Sequence, residues 1–171
     1  MLTRDPTLLT TEHLLLEPLT PSHAEEMVAV LNDPALYTYV GGEPPSDVEL
    51  RERYVRQARG RSPDELQSWC NWIIRDRTSF AALGYVQATI TDASGWADVA
   101  WVVGSEFQGR GHACEAAKAM IAWLRESGVN GVSAHVHPDH AASSTVARAA
   151  GLTETSTVID GEVRWELQGL G

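Results

Sequence analysis

The sequence predicts a mixed α/β fold in a single domain. Three observations carry this reading. Strand-like stretches joined by hairpin turns dominate the middle of the chain. Capped helical stretches interrupt them before and after. The length of 171 residues suits one domain, at about 100–200 residues per domain, with a core that needs no staples. The predicted order is β-α-α-β-β-β-α-β-α-β-β. Its seven strands form a mixed, mostly antiparallel sheet, with hairpins at the centre and helical crossovers later.

Each element has a local cause. Residues 1–10 read as a flexible tail, and residues 11–171 as the domain. Glu12 to Leu19 (EHLLLEPL) reads as a strand. Thr20-Pro21 opens a helix, with threonine as cap and proline at the first helical position. Asn32-Asp33-Pro34 stops it. Gly41-Gly42 and Pro44-Pro45 break the next stretch into loop. Ser46-Asp-Val-Glu49 is a capping box, so a second helix runs to about Gly60. Gln67 to Arg75 and Phe80 to Thr91 are apolar and rich in β-formers, and Asp92-Ala-Ser-Gly95 turns the chain into a strand from Trp96 to Val103. Gly104 to Gly111 is a glycine-rich turn. Ala113, Ala116, Ala117, Met120, Ile121 and Leu124 recur at helical spacing. Gly131 to His137 is a short strand, and Asp139 to Ala150 a helix stopped at Gly151. Asp160-Gly161 closes a two-residue hairpin between Thr157-Val-Ile159 and Glu162-Val-Arg-Trp165.

Composition narrows the function. There are 13 basic and 23 acidic side chains, a formal charge of −10. Lys118 is the only lysine, a feature that codon bias explains without function. A chain this acidic has no basic stripe for nucleic acid and no attraction to an anionic membrane surface. The charge favours a small cationic partner. No signal-like or membrane-spanning apolar run is present. Two cysteines, Cys70 and Cys114, are too few for a disulfide scaffold, so a reduced, cytoplasmic setting is expected.

The glycine turn carries the most chemistry. Free N–H groups at the start of the following helix form an anion site, and glycines let a phosphate approach the backbone. Two common phosphate motifs fail here. Gly104 and Gly109 have Walker spacing, but Arg110 and Gly111 stand where lysine and the magnesium-binding hydroxyl belong. Gly109-Arg-Gly111-His-Ala-Cys114 lacks the third small residue of a dinucleotide fingerprint.

Gln108-x-x-Gly111-x-Ala113 after an apolar strand resembles the coenzyme A pyrophosphate loop of the GNAT acetyltransferase superfamily, Q/R-x-x-G-x-G/A. The run Trp101 to Ala116 (WVVGSEFQGRGHACEA) is similar to the branch of Rim-type ribosomal-protein N-terminal acetyltransferases. So is Val136 to Ser143 (VHPDHAAS) through Gly151-Leu152, beside that branch's V-x-P-x-N-x-x-S…G-F segment. The resemblance implies helices on both faces of the sheet and a V-shaped splay between the strands ending at Val103 and His137. It implies acetyl-coenzyme A in that splay. Trp101, Val102 and Val103 would hold the pantetheine arm as an added strand would. Gln108, Gly109, Arg110, Gly111, His112 and Ala113 would surround the pyrophosphate. The Val103 N–H would stabilise the tetrahedral oxyanion. His140 stands where the family has an asparagine that contacts the cofactor arm. Ala147 stands where many relatives have an acidic tyrosine, which leaves Ser143 as proton donor or as a helix hydrogen-bonder.

His135-Val-His137-Pro-Asp139-His140 also spells the H-x-H-x-D-H string of zinc hydrolases. No histidine follows His140, so the set lacks downstream ligands and no metal is expected. On the acceptor side, an attacking amine must lose its proton to a base. Asp98 is the first candidate, since related enzymes often carry glutamate there (A-E-x-G-Y-W; here Ala97-Asp98-Val-Ala-Trp101), with His135 or His137 second. An exposed strand carboxylate is the plain alternative. Trp69, Trp72, Tyr37 and Tyr39 line the acceptor pocket or anchor the core. The expected activity is acetyl transfer to a small-molecule or peptide amine. A homodimer stays open as the assembly. A coenzyme A-binding module without transfer and a zinc hydrolase are the alternatives.

Overall fold

A computed structural model describes residues 4–170. Eight strands form one sheet in the order β1-β2-β3-β4-β5-β6-β8-β7. They are β1 (Leu9–Thr10), β2 (Leu14–Pro18), β3 (Gln67–Asp76), β4 (Ala82–Thr91), β5 (Trp96–Val103), β6 (Gly131–Val136), β7 (Thr153–Ile159) and β8 (Glu162–Gln168). The helices are α1 (Ala24–Val30), α2 (Asp47–Gln57), α3 (His112–Glu126) and α4 (Ala141–Ala149). The sheet is mixed, and among the described residues only β5 and β6 pair in parallel.

Local chemistry sets the element ends. The Ser46 side chain accepts from the Glu49 N–H and starts α2. Pro21–His23 is a short 3-10 turn before α1, and the Thr20 N–H donates to His23 Nδ1 at 2.9 Å. Asp160 and Gly161 both take positive φ, at 52° and 81°, as a tight hairpin between twisted strands requires.

The two sheet faces carry separate cores. On one, Ala116, Met120 and Leu124 of α3 and Ala147 of α4 pack on Val99, Val103, Val132 and Ala134. On the other, Met27 of α1 and Leu50 and Tyr54 of α2 pack on Ile73, with Tyr85 and Val102 at the edge. Strand alternation therefore sends odd positions of β5 to the α3 face and even positions, Asp98 and Val102 among them, to the α1/α2 face.

The sheet has one strand more than expected, because β1 pairs with β2 through Leu9↔Leu16 and Thr10↔Leu15. Residues 1–3 of the expected tail lie outside the described residues. From Arg4 onward the segment lies against the domain. Arg4 Nε donates to the Ser127 carbonyl at 3.3 Å, and the Trp72 indole donates to the Thr7 carbonyl at 2.9 Å. Trp72 is fully buried, and a buried indole N–H needs such an acceptor.

The two cysteines are free. Burial pushes the Cys70 thiol up to about 12, so it is almost wholly protonated at neutral pH. Cys114 is half-buried. A thiol reagent at pH 8 is expected to label Cys114 in the folded protein and Cys70 only after unfolding. Equal labelling rates in the native state would show that the Cys70 pocket is open.

Candidate active site

β5 and β6 pair only through Trp96↔Gly131, Ala97↔Val132 and Asp98↔Ser133. Beyond that point β6 stays with β8 as far as Val136↔Val163, while β5 stays with β4 to Gly84↔Val103. The two central strands therefore part at Asp98 and leave a V-shaped gap.

The register decides which backbone groups face that gap. The Gly104 N–H donates to the Leu83 carbonyl at 2.8 Å, so this opposed pair is hydrogen-bonded. Antiparallel pairs alternate. Tyr85↔Val102 and Gln87↔Ala100 thus spend their amides within the β4–β5 ladder. Trp101 and Val103 turn theirs the other way, into the gap. Of the three residues expected on the cofactor arm, Val102 has its backbone committed to β4 and only its side chain left to contribute.

The gap ends at the glycine loop. After a 3-10 turn at Ser105–Phe107, Gly109 and Gly111 take φ of 78° and 81°. Gly111 caps α3 in the left-handed conformation, which a side chain disfavours. A Cβ at either glycine meets nothing within 4 Å, so an open space faces the loop. The Glu115 N–H is the first to bond back, to the Gly111 carbonyl. The amides of His112, Ala113 and Cys114 precede it as free donors at the positive end of the helix. Arg110 is exposed beside them. Gln108 does not reach forward. Its side-chain amide donates to the Val103 carbonyl at 3.0 Å and fixes the end of β5.

Asp98 sits at the apex of the V on the α1/α2 face. Its Oδ1 accepts from Ser133 Oγ at 3.0 Å and lies 3.3 Å from His135 Nδ1. The two foremost base candidates are therefore one pair, half-open to solvent. Ser133 has no place among the expected site residues. Its signal was the β6 alternation, which puts it on the face of His135.

His137 and His140 belong to a different group. Tyr39, from the α1–α2 connection, stacks on His140 with ring centroids 4.6 Å apart and planes at 17°, and tilts against His137 at 5.1 Å. His137 lies just past β6, where its Nδ1 accepts from the Asp139 N–H at 3.1 Å. The histidine string is thus divided between two neighbourhoods. Among the described residues no three His, Cys, Asp or Glu side chains are grouped as a metal site would require. Ser143, half-buried in the first turn of α4, makes no side-chain hydrogen bond among the described residues, whereas Thr145 bonds the Ala141 carbonyl. Trp69 and Tyr37 are local anchors, with Tyr37 Oη donating to the Leu31 carbonyl at 2.9 Å and the Trp69 indole to Gln67.

Burial first, and then the nearby His137, hold the His140 imidazole below its ordinary value. A histidine lowered in the folded state stabilises above its unfolded value, about 6.5, and loses that contribution as pH falls. Ring-proton NMR is expected to give His140 a midpoint below 6.5. Tyr39→Ala should move the midpoint back up. An unchanged midpoint in that variant would remove Tyr39 as the source of burial.

The splayed mixed sheet, with strand amides turned into its gap, leads directly into a glycine-capped helix. The profile of the acetyltransferase (GNAT) domain matches residues 13–153, and the chain belongs to that family. Solved structures agree on the fold. The ribosomal-protein-S5-alanine acetyltransferase from Vibrio fischeri is 17% identical with a TM-score of 0.77, over 96% of this chain and 97% of that one. The RimL ribosomal L7/L12 α-N-protein acetyltransferase, solved with coenzyme A, is 16% identical with a TM-score of 0.76, over 95% and 98%. The microcin C7 self-immunity acetyltransferase MccE, solved with acetyl-coenzyme A and AMP, is 16% identical with a TM-score of 0.76, over 92% and 93%. Comparison with curated proteins gives no significant match. Among the described residues no helix is long and apolar enough to cross a membrane.

Proposed function

We propose that the protein moves an acetyl group from acetyl-coenzyme A to a primary amine by direct attack in a ternary complex. The observation that carries this is the β5–β6 gap, with Trp101 and Val103 amides directed into it and the free amides of α3 beyond it. The structures of RimL and MccE hold coenzyme A and acetyl-coenzyme A, which supports the same donor here. Trp101 and Val103 pair with the pantetheine amides as a further strand would. Amides from Gly109 to Ala113 hold the pyrophosphate, with Arg110 adding charge. No metal is needed.

The amine reaches the thioester from the α1/α2 face. Asp98, steadied by Ser133 and His135, takes its proton directly or through water. The amine nitrogen bonds to the thioester carbon, and the Val103 N–H stabilises the oxyanion. The C–S bond then breaks and the thiolate leaves. Ser143 is the hydroxyl candidate to return a proton to sulfur, since fully buried Ala147 has none to give. The acceptor is a small-molecule or peptide amine.

Thiol release with acetyl-coenzyme A and an amine panel tests the proposal. Release that depends on the amine supports it. Calorimetric binding of acetyl-coenzyme A with no release for any amine would leave a coenzyme A-binding module instead.

A further inference from the structure

A second cavity opens on the α1/α2 face, between α2 and the sheet. It encloses about 260 Å³, and its polar lining is Arg53, Tyr54, Gln57, Asn71, Tyr85 and Gln87. No carboxylate lines it among the described residues. In a chain of net charge −10, such a lining is unusual. Tyr54 is 4% exposed, and its hydroxyl is buried without a hydrogen-bond partner. Arg53 is half-buried and makes no ion pair among the described residues. A buried, unpaired hydroxyl costs free energy that a ligand acceptor would recover. A lone guanidinium presents a planar fork that matches one carboxylate.

The cavity adjoins the reaction gap. Tyr85 and Gln87 of β4 lie opposite Val102 and Ala100 of β5, and all four share the face of Asp98. The gap opens on the far side of β5. A ligand with one end at Arg53 and the other at the thioester therefore spans one to two strand spacings, about 5–10 Å.

We propose that this cavity seats a carboxylate of the acceptor, with Arg53 and the Tyr54 hydroxyl as its donors. The acceptor is then a zwitterion, an amine separated from a carboxylate by several atoms, and not a polyamine. The amine end then meets Asp98 at the gap, so a carboxylate and a guanidinium act on opposite ends of one molecule. This rests on the acetyl-transfer reading for the amine's role, but the seat for the carboxylate stands on the cavity alone.

Calorimetry on the protein saturated with coenzyme A tests it, using ω-amino carboxylates of three to eight carbons and their matched carboxamides, with thiol release measured in parallel. Carboxylates are expected to bind at least about tenfold tighter than carboxamides. Arg53→Gln should collapse that ratio while coenzyme A affinity stays unchanged. Tyr54→Phe should weaken carboxylate binding without an effect on carboxamides, and serves where the arginine variant folds poorly. Equal affinities for the two series in the native protein, or tighter binding of diamines, would overturn the proposal. Carboxylate selectivity without thiol release would keep the seat and reject acetyl transfer.

Discussion

Gly84→Ala is expected to cost about 3 kcal/mol or more, the overpacking range at its upper end. An ideal Cβ at Gly84 would collide with the Val102 carbonyl oxygen and stand 2.8 Å from Val103 Cα. Both are backbone atoms, so no side-chain rotation relieves the contact. The position is crowded because the β3–β4 register slips here, from Ile74↔Gly84 to Arg75↔Ala82, leaving Leu83 as an extra residue. A bulge next to a glycine is how a strand bends where another backbone comes close. At this length about 3 kcal/mol lowers Tm by roughly 6–12 °C. The displaced segment is Val102–Val103, so acetyl-coenzyme A affinity should fall as well. Differential scanning calorimetry and a coenzyme A titration check the two effects together. Gly109→Ala is the contrast. Its Cβ meets nothing, but φ of 78° disfavours any side chain by about 1–2 kcal/mol, so affinity should suffer more than Tm.

Asp98→Asn is expected to lower turnover by about a hundredfold, the usual contribution of a positioned base, with acetyl-coenzyme A affinity unchanged. The amide keeps the shape and still accepts from Ser133, so the strand junction survives. What disappears is the proton acceptor beside His135. The deficit should shrink as pH rises, because the amine then loses its proton to solvent. Steady-state kinetics from pH 6 to 10 reads this. Equal turnover of variant and native protein across that range would remove Asp98 as base. His135→Asn should give a smaller loss, since it acts through the same carboxylate.

Much of this was legible in the residues. β5 runs from Trp96 to Val103 as its flanking turns predict, and the Gly104–Gly111 turn opens α3 where the apolar spacing begins. The hairpin at Asp160-Gly161 forms as its dipeptide requires. What stayed hidden depends on contacts distant in sequence. The N-terminal segment lies along the domain because Trp72 needs the Thr7 carbonyl, 65 residues away. Tyr39 meets His137 and His140 only because the α1–α2 connection crosses the end of β6. The polar cavity needs α2 to turn Arg53 and Tyr54 towards Asn71 and Gln87, and a capping box sets where a helix starts but not which partners its inner face finds. Gly84 did carry a signal, since a lone glycine inside a strand marks a bulge or a close approach. The joining of Asp98 to His135 was half visible. Each lay on a predicted strand, but only the parallel pairing Asp98↔Ser133 brings the two strands into register.

The proposed function requires the β5–β6 gap and the α3 loop to form one binding surface for acetyl-coenzyme A. Amide NMR on titration with coenzyme A tests it most directly. Concerted shifts are expected for the Trp101 and Val103 amides together with those of Gly109, Gly111, His112 and Ala113, while Val102 and Ala100, held in the β4 ladder, move least. Saturable binding that leaves Trp101, Val103 and the loop amides unmoved would contradict it.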